Sequence, residues 1–201
     1  MAVQENFTPE EWKMLLQAPM TVGLAVSASS PSGPIGVSKE SYAIAKALAA
    51  VKQAGSSNAL VQAVAEQLVQ DHNAAKPEDI KGKTPAEVVG QAAGLLGQMS
   101  QTLSEKGGAD AQGFKEWLIG IAAAVAHAAK ENTSFGFGGV EVSDAEKAAV
   151  AQLAGALGVA DPLGGAPAPA VAPAAEAPAA PAPPASAPAS DSDVLADLSK
   201  G

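Results

Sequence analysis

Few residues in this 201-residue chain have the types and spacing for chemistry. There are two histidines, His72 in Asp71-His72-Asn73 and His127 near the end of an apolar run. His72 closes a predicted helix, where a histidine offsets the negative end of the helix dipole. His127 shares a small-residue face with Gly120, Ala123 and Ala124, where another helix can come close, and Glu131 one turn later is within reach. That setting predicts a structural histidine, since no nucleophile is spaced to use either imidazole. No Ser-x-x-Lys pair and no nucleophile elbow occurs. Gly136-Phe137-Gly138-Gly139 lacks both the spacing and the following lysine of a phosphate loop. The chain has no cysteine, and all 12 basic residues are lysine. Thiol nucleophiles, thiolate metal sites and bidentate arginine forks are therefore excluded. With 21 acids the net charge is −9, the wrong sign for binding nucleic acid. We expect a non-enzymatic protein with no cofactor.

Two segments remain as candidates for surface recognition. Phe135 and Phe137 flank Gly136 in a predicted loop. Their rings either fold onto the helices, where aromatic burial is worth a few kcal/mol each, or form an exposed docking patch. The second candidate is the C-terminal stretch 191–201, in which Asp193 can cap a short helix carrying Val194, Leu195 and Leu198 on one side. Short docking helices present their anchors in this way, so these four residues are the predicted contact with a protein partner. The competing reading is a solubilising end.

The elements that must position these residues are helical. Aromatics make up only 3% of the chain and alanine is abundant, which favours helices over sheets. Thr8-Pro9-Glu10-Glu11, Thr84-Pro85-Ala86-Glu87 and Ser143-Asp144-Ala145-Glu146 each place a capping hydroxyl three residues before a glutamate. Ser38 opens a further helix. Apolar stripes follow at Val88, Ala92, Leu95, Met99 and Leu103; at Leu60, Val64 and Leu68; and at Leu118, Ile121 and Val125. These signals predict six helices over 9–29, 39–54, 57–72, 85–104, 111–131 and 144–158, the first kinked at Pro19. The fold expected is an all-α six-helix bundle.

From 162 to 190 the composition changes, with 22 of 29 residues Ala or Pro. Such a segment cannot build a core and spans on the order of 90 Å if fully extended as polyproline II. The expected organisation is a helical domain over 1–161, a linker over 162–190 and a docking peptide over 191–201. No positively charged export signal opens the chain, and the run Trp117 to Ala129 is too short to span a bilayer. The expectation is a cytoplasmic protein without a transmembrane segment.

Offsetting the chain by 105 residues aligns Glu11-Trp12 with Glu116-Trp117, Met20 with Val125, Gly33 with Gly138, Val37-Ser38 with Val142-Ser143, and Leu48 with Leu153. Two helix–loop–helix repeats about a pseudo-twofold axis are predicted. Gly139-Val140-Glu141-Val142-Ser143-Asp144-Ala145-Glu146, running on to Leu157, resembles the TerB-like helical family named for the tellurite-resistance protein. The match is best over 131–159 and returns over 8–54. The resemblance implies an all-helical bundle in stress-response or membrane-adjacent assemblies, with divalent cations at acidic positions. Where that family has Asp before its loop glycine, this chain has Ser32 before Gly33, and Phe137 before Gly138. Glu40, Glu141, Asp144 and Glu146 form no recognised ligand spacing, and an acidic first turn already complements the helix dipole. No metal site is carried over. The function expected is an adaptor tethered through its C-terminal peptide. The alternatives are a metal-binding stress-response protein and a cargo of a bacterial shell compartment, whose targeting peptides hang on similar Ala-Pro tethers.

Overall fold

Three helices begin on reciprocal caps in the computed structural model, which describes residues 3–29, 43–51, 53, 55–129 and 142–164. Thr8 Oγ1 accepts from the Glu11 amide at 3.3 Å, while Glu11 Oε2 accepts from the Thr8 amide at 2.7 Å. Thr84 with Glu87 and Ser143 with Glu146 close the same box. Each box satisfies two amides that a helix start leaves without partners. Ser38, the fourth expected cap, lies outside the described residues.

The helices are α1 (Pro9–Ser29), α2 (43–51), α3 (Ala59–Gln70), α4 (Pro85–Lys106), α5 (Asp110–Ala129) and α6 (Asp144–Leu157). Short 3-10 turns precede α1 and follow α3. Among the described residues there is no strand, so the all-α class holds. None of these helices is long and apolar enough to cross a membrane. Helix α1 runs through Pro19 without interruption. Helix α6 stops at Gly158, whose φ of 70° places it in the left-handed region while its amide donates to the Ala154 and Gly155 carbonyls. A side chain there would be strained, so glycine ends the helix.

The core forms around α1, which packs against α3, α4, α5 and α6. Leu60, Val64 and Leu68 of α3 and Leu118, Ile121 and Val125 of α5 are buried, as their spacing requires. On α4 the buried stripe is Val89, Ala92, Leu96, Met99 and Leu103; Val88 and Leu95 are only half-buried. Both sets satisfy helical periodicity, and the neighbours decide between them. Helix α4 packs on both α1 and α6, and that arc takes Val89 and Leu96 inward. Phe7 and Phe114 also join the core, each beside a tryptophan at ring separations of 6.1 and 5.6 Å.

The chain divides into units Met1–Ala170 and Val171–Gly201. The first reaches past residue 161: the Leu163 amide donates to Asp161 Oδ1 at 2.9 Å, and Leu163 packs partly against the core. The two tryptophans paired by the 105-residue offset occupy different places along their helices. Trp12 is the fourth residue of α1, whereas Trp117 is the eighth of α5.

Candidate functional site

Asp193, Val194, Leu195 and Leu198 of the expected docking peptide lie outside the described residues, as do Phe135 and Phe137 of the expected loop patch. The chemistry visible in the described part belongs to the helical unit.

Histidine 72 begins the 3-10 turn after α3 instead of ending the helix, and its Nδ1 lies 2.7 Å from the Leu68 carbonyl. That contact engages one of the last carbonyls of α3, the role expected of it. His127 is exposed in the last turn of α5, and the small residues expected to admit a neighbouring helix, Gly120 and Ala124, are exposed with it. No group of three or more His, Asp or Glu converges on one point among the described residues.

Of the polar contacts that join distant parts of the chain, three frame the starts of α1, α3 and α5. Lys106, in the last turn of α4, reaches both carboxylate oxygens of Glu11 at 2.7 Å. This lysine, followed by the Thr8 amide, holds the Glu11 carboxyl below its ordinary value. Trp12 is 4% exposed, and its Nε1 donates to Gln67 Oε1 of α3 at 2.8 Å. Asn58 caps α3 by accepting from the Val61 amide at 2.9 Å, and its Nδ2 donates to the Asp110 carbonyl at the start of α5 at 2.7 Å. None of these partners was visible in sequence, because each pairs residues more than 50 positions apart.

Among the described residues, two charged side chains are buried. Lys115 donates to Ser104 Oγ at a long 3.4 Å. Glu146 is 4% exposed; its Oε2 accepts from the Ser143 amide and hydroxyl, while Oε1 has no hydrogen-bond partner among the described residues.

A depression of about 540 Å³ forms a shallow groove where α2 faces α5. Ala47 and Val51 form one wall, Gly113, Trp117 and Gly120 the other, and Asn58 closes one end. A Cβ at Gly113 would sit 2.7 Å from Asn58 Nδ2, so any larger residue there has to push that amide aside. The groove places a half-buried indole among small residues, a surface suited to contact and without a catalytic set. Comparison with protein-family models, with curated proteins and with solved structures finds no match.

Proposed function

We propose that this protein is a non-enzymatic adaptor, in which a helical module is linked through an Ala/Pro-rich spacer to a C-terminal docking peptide. The observation that carries the reading is compositional. After 22 Ala or Pro in the 29 residues from 162 to 190, leucines, valine and a capping aspartate return together at Asp193, Val194, Leu195 and Leu198. A spacer of this composition keeps two parts of a chain apart while holding one near the other's partner. The helical module on this reading is TerB-like, a duplicated helix–loop–helix with a pseudo-twofold relating α1 to α5. What supports it is the 105-residue offset in the sequence; the aligned residues share burial only in part, with Trp12, Val125 and Leu153 in the core and their counterparts Trp117, Met20 and Leu48 packed against it.

The test compares three full-length baits in native lysate: the intact chain, a chain lacking 191–201, and Leu195→Asp with Leu198→Asp. Charge cannot enter an apolar groove unpaired, so the double substitution should abolish recruitment as the deletion does. Thermal unfolding of the helical module should be the same in all three. Identical interactor sets would overturn the adaptor reading, and loss with the deletion alone would move the contact from the leucines to the acids.

A further inference from the structure

A second depression, of about 310 Å³, lies between α1 and α4 and reaches the segment that carries Asp79. Met14 on α1 with Leu95 and Met99 on α4 make it apolar, and the charged residues that line it are Glu10, Lys13 and Asp79. Its polar groups are unevenly used. Lys13 Nζ is held by Glu78 at 2.6 Å, the Thr21 hydroxyl donates to the Gln17 carbonyl, and Gln17 Nε2 donates to the Lys76 carbonyl. Glu10 and Asp79 make no hydrogen bond or ion pair among the described residues. The lining therefore offers apolar surface beside two carboxylates that make no hydrogen bond, of which Asp79 also acts through space on the Lys13 ammonium. Its volume lies at the lower end for small-molecule pockets and suits one large side chain. The two thioethers let its walls adjust to the side chain that enters.

We propose that this groove is a peptide-docking site, taking a partner segment in which a large apolar side chain stands next to lysine or arginine. The apolar side chain enters beside the half-buried Met14 and Leu95, over the buried Met99, and the flanking cation meets Glu10 and Asp79 at the rim. The position of Leu95 supports this: it is the residue that the sequence pattern places in the core and the structure leaves half-buried at this groove. The site belongs to the helical unit, so it stands or falls independently of residues 191–201.

The chain has four methionines, of which Met14 and Met99 line the groove and Met20 does not. Full-length protein labelled with 13C at the methionine methyl groups therefore reports on this site directly. The probe is an end-blocked pentapeptide with a central phenylalanine between lysines. Its controls replace the lysines by glutamate or the phenylalanine by alanine. Saturable shifts of the Met14 and Met99 methyls are expected with the lysine–phenylalanine peptide, with Met20 unmoved and neither control binding. Glu10→Gln combined with Asp79→Asn should weaken binding by about fivefold, as the loss of two exposed charge contacts implies. Both positions are exposed, so the variant stays folded, its melting curve lowered only slightly by the lost first-turn charge of α1. Unmoved Met14 and Met99 methyls at millimolar peptide would overturn the proposal. So would equal binding of the glutamate peptide, or an unchanged Kd in the double variant.

Discussion

The two Glu-Trp pairs of this chain, Glu11-Trp12 and Glu116-Trp117, have identical chemistry and different uses. At the first, the carboxylate closes a cap and binds Lys106, and the buried indole donates to Gln67. At the second, Glu116 only accepts from Gln112 one turn earlier, and the half-buried indole lies against Phe114 on the wall of a groove. The difference follows from register. Trp12 stands in the first turn of α1, where the helix start, the end of α4 and the flank of α3 converge, while Trp117 stands two turns into α5. A dipeptide's role is fixed by where the helix begins and what packs there, not by the pair itself.

The largest effect should separate the two indoles. Trp12→Ala removes a buried ring and strands Gln67, and should destabilise by about 3–5 kcal/mol. Trp117→Ala should cost about 1–2 kcal/mol, because much of its ring already faces the groove. Urea unfolding of both variants checks this, and equal losses would erase the distinction.

Next in size is the support of the Trp117 end. Asn58→Ala removes both the cap of α3 and the link to α5, for an expected loss of about 1–2 kcal/mol. Gly113→Ala should cost about the same by pushing Asn58 aside. The double variant should lose little more than either alone, since both act through one contact. A double-mutant cycle by thermal unfolding measures the shortfall from additivity.

The smallest effect is a pH dependence at the Trp12 end. Glu11 has its folded pKa depressed below 4.5 by Lys106 and the Thr8 amide. Its contribution is therefore complete above the unfolded pKa and is lost as pH falls through the lower, folded value. Glu11→Gln should flatten the acid side of the stability curve below about pH 4.5. Unfolding midpoints of the variant and the parent, followed from neutral to acid pH, check this.

The caps made much of this architecture legible in advance. Thr8, Thr84 and Ser143 fix helix starts by interactions three residues long, so local sequence is enough to find them. The α3 and α5 stripes were legible for the same reason. The α4 stripe was misplaced by one residue at two positions, because Val88/Leu95 and Val89/Leu96 fit the period equally and only the flanking helices choose. The grooves were not legible at all. Each exists because helices distant in sequence meet, and no local pattern encodes which small residue ends up opposite which ring. Beyond the last helix, Leu163 still packs partly against the core.

The position of α1 has a consequence for synthesis. This first helix finds its partners in α3, α4, α5 and finally α6, so its apolar face is complete only once residue 157 has been made. At typical translation speeds that leaves Leu15, Leu16, Val22 and Val26 waiting roughly 10 s for their last neighbours. The domain therefore cannot assemble piecemeal from its leading end. Folding is deferred to a late, collective step, and a nascent chain stalled before α6 would display this unmet surface to chaperones.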